Sequence, residues 1–395
     1  MRSKIYILIF LLSAFLNSFA QYTLRLEIIA TPSAHKEDGV FVAGSFNNWN
    51  PAEEKYQFYR ENNKLVVEIK NLPPNTYQFK FTRGSWQKVE TTSIGKDVAN
   101  KIVQLTADTT ISFVVEGWQD NFAVSKKHTS SSNVHVLDTA FFIPQLNRTR
   151  RIWIYLPKGY EETKKHYPAM YLQDGQNLFD DFTSAFGNEW GVDECLDSLI
   201  AKGKPASIVV GIDNGEESRM NEYNPYEFVM KDTLRSKIFS PQGEAYLLFL
   251  TQTLKPFIDK KYRTLSSKEN TIIAGSSMGG VISYYAALRY PEVFGKVGIF
   301  SPAFWTAPEI KKLTDSVAKK INGKFYFYMG EKEGGSYIAD MKEVAEKLGA
   351  NSNAMIYSVI DEGGQHNEAA WRKWFADFFS WMMADGYNNV IKLED

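Results

Sequence analysis

The sequence predicts an α/β fold class: a doubly wound sheet with helices on its faces, preceded by a small all-β sandwich. Three observations predict it. Short runs of alternating apolar and polar residues fill positions 21–118, continuous apolar runs interleaved with helical stretches fill 135–385, and a polar stretch separates the two textures. A chain of 395 residues is also too long for one ordinary core, so two domains plus export and linker segments are expected.

In the first part, Leu24, Leu26 and Ile28, then Leu65, Val67 and Ile69, then Ile111, Phe113 and Val115 keep a period of two between turn residues, the pattern of an antiparallel sandwich. From Gln119 to Ser132 no apolar period remains, and the run Thr129, Ser130, Ser131, Ser132, Asn133 is polar throughout, which places a linker over 119–134. Beyond it, Arg151–Leu156 alternates as a strand. Ala169–Leu172 and Ser207–Ile212 are continuous apolar runs of the kind found in sheets covered on both faces, and Glu244–Lys260 reads as a helix between strands. Residues 386–395 are read as a tail.

The N-terminus carries Arg2 and Lys4, an apolar run from Ile5 to Leu16 broken by Ser13, and small residues at Ser18 and Ala20. This is the layout of a cleaved export signal over residues 1–20, with the mature chain starting at Gln21 in the periplasm or outside the cell. The apolar run is shorter than the roughly 20 residues that span a bilayer, so no membrane anchor is expected after cleavage. Forty-five basic residues against 46 acidic ones leave a formal charge of -1, which offers nothing to nucleic acid. Cys195 is the sole cysteine, so an intrachain disulfide is excluded, and it reads as a small buried apolar residue.

The sharpest local signal is Thr271–Gly280, TIIAGSSMGG, followed by a helical run from Val281 to Tyr290. A buried strand, a Gly-x-Ser-x-Gly turn and a helix make a nucleophile elbow, which lifts Ser277 to a helix N-terminus. There the Met278 N–H can stabilise negative charge on an attacked carbonyl oxygen. A serine hydroxyl needs a base, and in this arrangement the base follows the nucleophile in the chain. Of five histidines, only His366 comes after Ser277; it lies in a Gly-rich loop between the apolar strand 354–360 and the helix 369–383. A carboxylate to orient it is expected just past the strand Lys324–Met329, where Glu331 and Glu333 compete; Glu333 is preferred because the acid often stands a few residues beyond the strand end. A second oxyanion donor is expected from Gln173-Asp174-Gly175-Gln176-Asn177, with Gly175 permitting the turn that presents the Gln176 N–H. The polar and aromatic stretch Trp190–Tyr226, with Trp190, Arg219 and Tyr223, is a candidate substrate-pocket lining. No metal or other cofactor is required by such chemistry.

These residues resemble the esterase branch of the α/β-hydrolases, which includes siderophore (enterochelin-type) esterases, S-formylglutathione hydrolase, feruloyl and acetyl-xylan esterases and mycolyltransferases. The resemblance covers about residues 137–385 and rests on Tyr171–Phe179, Val209–Asp213, Ala274–Gly280 and Phe300–Trp305. It implies a triad of Ser277, Glu333 and His366 with oxyanion donors at Gln176 and Met278. The first module resembles the glycogen-binding domain of the AMP-activated kinase β subunit, an immunoglobulin-like sandwich. Its markers are Val42–Trp49, Tyr77–Phe81, Gly84-Ser85-Trp86 and Gly95–Leu105. That resemblance implies glycan contacts at Trp49, Lys80, Trp86 and Asn100.

The expected function is a serine carboxylic-ester hydrolase acting on acyl esters of carbohydrate, acetyl or feruloyl, with a small molecule or polysaccharide as substrate. A siderophore esterase is the alternative. An acyltransferase would use the same machinery, and a glycan-binding protein with an inactive hydrolase domain is the alternative of another class.

Overall fold

The computed structural model describes residues 20–122, 128–185, 187–231, 236–384 and 390–393. The expected export signal lies outside these residues except for Ala20. The chain divides into two units, with the boundary between Phe122 and Ala123.

In the first unit the strands Tyr59–Glu61, Lys64–Leu72, Tyr22–Ala30 and Thr109–Val114 form one sheet in that order, and Phe41–Gly44, Asn75–Thr82 and Lys101–Leu105 form a second. Leu24, Leu26 and Ile28 from one sheet and Phe79 and Phe81 from the other share a single buried cluster. The alternation read from the sequence is thus the alternation between core and solvent. One pairing departs from the antiparallel expectation: Tyr22–Ala30 runs parallel to Thr109–Val114, because these strands are joined through the rest of the module and not by a hairpin.

In the second unit nine strands among the described residues make one sheet. Its spatial order is Val134–Ile143, Arg148–Tyr155, Ile208–Ile212, Ala169–Gln173, Thr271–Ser276, Lys296–Phe300, Asn322–Gly330, Asn353–Asp361 and Val390–Leu393. The first two strands are antiparallel to their neighbours and the rest run parallel. Strands such as Ala169–Gln173 and Thr271–Ser276 are buried along their whole length, as the continuous apolar runs require when helices cover both faces. Two apolar clusters lie on opposite faces, one holding Ile273, Val281 and Ile299, the other Ile272, Phe300 and Phe378. The helical stretch expected over 244–260 is Gly243–Lys261 with a π turn at Leu250–Leu254.

Two boundaries differ from expectation. Residues 128–132 of the expected linker are held on the second unit: the Thr129 N–H donates to Asp180 and the Ser131 N–H to Asp193, so a polar stretch finds carboxylate acceptors instead of water. The expected tail supplies the last strand, Val390–Leu393, whose backbone extends the parallel ladder beside Tyr357–Ile360. No helix among the described residues is long and apolar enough to cross a membrane.

Candidate active site

The strand Thr271–Ser276 ends directly at Ser277, whose backbone sits at φ 56° and ψ -120°, and the helix Met278–Arg289 starts at the next residue. A non-glycine residue adopts that conformation only when its surroundings over-determine it. Here the Ser277 N–H donates to Phe300 O at 2.9 Å, and its carbonyl accepts from Gly280, Val281 and Ala303 N–H groups at 3.1 to 3.2 Å. A side chain at Gly275 would meet the Gln173 side chain and the Gly279 backbone at 2.8 Å, which is why the motif needs glycine there. Ser277 is half-buried while residues 271–276 and 278–280 are buried, so the turn presents this one side chain.

Four neighbouring parallel strands end at this edge of the sheet, and each delivers a polar residue just past its C-terminus: Ser277, Ser301, Glu333 and His366. The His366 Nδ1 lies 2.6 Å from Glu333 Oε2. Glu333 Oε1 accepts from the Gly330 N–H at 2.8 Å and from Ser301 Oγ at 2.6 Å, and Ser301 Oγ in turn accepts from Trp371 Nε1 at 2.9 Å. Glu333 is buried and Glu331 is exposed, because the short turn Glu331–Glu333 rotates successive side chains to opposite sides. The imidazole meets the Trp371 ring edge-on at 5.2 Å, and the loop is closed by Asn367, whose side chain caps the helix Glu368–Met383 by accepting from the Ala370 N–H. A carboxylate on Nδ1 selects the tautomer with its proton there, leaving Nε2 as the basic nitrogen. The His366 side chain is 41% exposed, so Nε2 chemistry is reachable from solvent.

The expected second oxyanion segment begins at the end of Ala169–Gln173. Its turn differs from expectation: Asp174, at φ 56°, takes the left-handed conformation, not Gly175. Asp174 tolerates it because its carboxylate is gripped by Arg219 through Nε and Nη2 at 2.7 and 2.8 Å and by Asn214 Nδ2 at 2.7 Å. Gly175 is required instead for close approach, since a Cβ there would lie 2.7 Å from Ile212 N. Gln176 and Met278 each stand in the first turn of a helical segment, where N–H groups have no carbonyl partner within the segment, which is the arrangement that binds a developing oxyanion.

Two expected pocket residues are corrected. Trp190 is 3% exposed, its ring packed on Phe300 and Trp371, and Tyr223 is fully buried with its hydroxyl accepting from the Asp174 N–H. Apolar and ring area that packs a core is not available to a ligand, so both support the site from behind. Arg219 likewise spends its guanidinium on Asp174. Ser301 and Trp371 were missed: the only sequence signal was a polar residue immediately after the buried strand Lys296–Phe300, inside the Phe300–Trp305 marker.

In the first unit the Trp49 and Trp86 rings lie side by side, centroids 6.2 Å apart and tilted by 40°, and both are half-buried. Lys80 is mostly buried and paired with Asp97 at 2.7 Å, and Asn100 donates to Gln78 Oε1 at 3.1 Å.

Among curated proteins, the chain is 27% identical over 244 residues to "Uncharacterized protein YbbA" of Bacillus subtilis, covering 59% of this chain and 92% of that one. It is 27% identical over 257 residues to the endo-1,4-beta-xylanase/feruloyl esterase of Xylanibacter ruminicola, 64% of this chain but only 32% of that protein. It is 25% identical over 243 residues to the iron(III) salmochelin esterase of Escherichia coli, 57% of this chain and 52% of that one. Among solved structures, the enterobactin esterase of Shigella flexneri superposes with a TM-score of 0.50 at 15% identity over 87% of each chain, which is a likeness of fold. The family profile described as "Putative esterase" matches residues 143–382. That match spans the Ser277 elbow, the Glu333 turn and the His366 loop, and the chain therefore belongs to this family of serine carboxylic-ester hydrolases.

Proposed function

We propose that the protein hydrolyses acyl esters of carbohydrate, acetyl or feruloyl, through an acyl-Ser277 intermediate. The hydrogen-bonded line from Ser301 and Gly330 through Glu333 to His366, at the same edge of the sheet as the elbow, is the observation that carries the mechanism. His366 Nε2 removes the Ser277 proton as Oγ attacks the ester carbonyl; the Gln176 and Met278 N–H groups receive the oxyanion; His366 then protonates the departing alcohol. Water, deprotonated by the same nitrogen, releases the acid and restores Ser277. Glu333 holds the imidazole and stabilises its cation.

The substrate class is supported by the likeness to the Xylanibacter ruminicola xylanase/feruloyl esterase and by the paired Trp49 and Trp86 rings, whose faces suit sugar C–H surfaces. A second reading, hydrolysis of a siderophore ester, is favoured by the likeness to the salmochelin esterase. The export signal read over residues 1–20 would place the reaction outside the cytoplasm.

The test is a panel of a short p-nitrophenyl ester, acetylated and feruloylated xylo-oligosaccharides and a catecholate siderophore lactone, run with the protein and its Ser277→Ala variant. Hydrolysis of the oligosaccharide esters, lost in the variant, supports the proposal. Preference for the lactone moves the assignment to the second reading, and no hydrolysis of any ester sinks the mechanism.

A further inference from the structure

The reaction above makes no use of a carboxylate cluster formed by Glu189, Asp193 and Glu194. Glu189 precedes the helix Val192–Ala201, and Asp193 and Glu194 lie in its first turn. One oxygen from each residue falls within 4.8 Å of one from each of the others. Glu189 is 1% exposed and Asp193 fully buried. Each carboxylate has one buried oxygen with no hydrogen-bond donor: Glu189 Oε2, Asp193 Oδ1 and Glu194 Oε2. The cluster has few other partners. The Ser131 N–H donates to Asp193 Oδ2 at 2.6 Å, the Thr129 hydroxyl bonds Glu189, and Arg372 stands 3.9 Å from both Glu189 Oε1 and Glu194 Oε1, beyond hydrogen-bond length. One guanidinium at that distance faces three acids. Buried carboxylate oxygens are ordinarily matched by donors or a cation, and the one N–H and one hydroxyl here leave an oxygen of each of the three without a donor.

We propose that Glu189, Asp193 and Glu194 bind a hard divalent cation, calcium before magnesium. The donor set is oxygen alone, with none of the sulfur or imidazole that selects zinc or copper. Oxygens that share one calcium ion at 2.3 to 2.6 Å stand at most about 5 Å apart, which the cluster satisfies. Glu194 is 38% exposed, so water can reach the ion and complete the six to eight oxygens that calcium takes, whereas magnesium demands a regular octahedron. The helix N-terminus opposes a cation with only about half a charge, which the carboxylate oxygens outweigh.

The site has structural work to do. Ser131 and Thr129 tie the entering segment to it, and Arg372 reaches it from the helix Glu368–Met383. Trp190, adjacent to Glu189, packs on Trp371, whose ring meets His366. The ion acts on the base loop by positioning, not by touching substrate.

The experiment uses the full chain freed of metal with a chelator and then titrated with calcium chloride or magnesium chloride. Calorimetry should give one saturable calcium site, weakened at least about tenfold by Glu194→Gln, a half-exposed change that should fold. Melting curves supply a second readout. In chelator Glu189→Gln should melt no lower than the parent, because burial and the neighbouring acids disfavour a charge at this position; with calcium added the parent should melt higher than the variant. This reversal is not expected of a hydrogen-bonded cluster without an ion. Absence of saturable binding for both cations, or the same melting order with and without calcium, overturns the proposal.

Discussion

His366 Nδ1 stands 2.6 Å from Glu333 Oε2, while Glu331, two residues earlier, points to solvent. Neutralising the two glutamates therefore gives unequal results. Glu333→Gln should lower kcat by roughly three to four orders of magnitude with little change in KM, the scale seen when a triad carboxylate is neutralised. Glu331→Gln should leave kcat within a factor of about two. Steady-state kinetics on a p-nitrophenyl ester checks both, and a reversed ranking would move the orienting role to Glu331.

The strained elbow separates activity from stability. Ser277→Ala should abolish turnover and melt near the parent, because alanine inherits the backbone at φ 56°. Ser277→Gly should also be inactive but melt higher, since a non-glycine residue held there costs about 1 to 3 kcal/mol. Equal melting temperatures for the two variants would show that the turn carries no strain.

Arg219 and Asp174 form a bidentate pair with Asp174 almost wholly buried. Arg219→Leu leaves that carboxylate with Asn214 alone among these side chains, and breaking a buried pair costs about 3 kcal/mol. The Gln176 N–H follows the turn that the pair shapes, so the loss of kcat should exceed any rise in KM. Denaturant unfolding and kinetics on the same preparation test this, and unchanged unfolding would refute the structural role.

Cys195, expected to be buried, is half-buried, and this partial burial pushes its thiol up to about 11. The thiolate is the reactive form, so iodoacetamide should label Cys195 very slowly in the native protein at pH 8 and rapidly once it is unfolded. Rapid native labelling, followed by mass spectrometry, would contradict the burial.

If the Trp49 and Trp86 pair is a sugar platform, Trp86→Ala should reduce retention of the protein on an insoluble glycan at least about tenfold and leave hydrolysis of a p-nitrophenyl ester unchanged. Equal retention of both proteins would remove carbohydrate docking from this face.

Much of this was legible in the chain. Ser277 and His366 were singled out by order and elimination, because a strand-turn-helix with glycines at 275 and 279 is a local pattern and the sole later histidine is a count. The continuous runs at 169–172 and 207–212 announced buried parallel strands for the same local reason. Trp190 and Tyr223 were misread because an aromatic in a connecting segment carries no signal of whether a helix such as Glu368–Met383 will cover it. The turn at Asp174 was assigned to its neighbour because glycine is the usual occupant of positive φ, whereas here Arg219, distant in sequence, stabilises an aspartate in it. Ser301 and the partners of Glu189 are non-local in the same way: they exist only once strands and helices are set side by side.

The end of the strand Asn322–Gly330 touches the loop that carries His366 backbone to backbone. A side chain at Gly330 would run into the Gly364 carbonyl, and the Lys332 N–H donates to that same carbonyl at 3.0 Å. Libraries meant to retune this enzyme cannot diversify 330–333 and 363–366 independently, since a change that displaces one loop shifts the other with it. Recombination between relatives should cross over outside both segments and inherit them as one cassette.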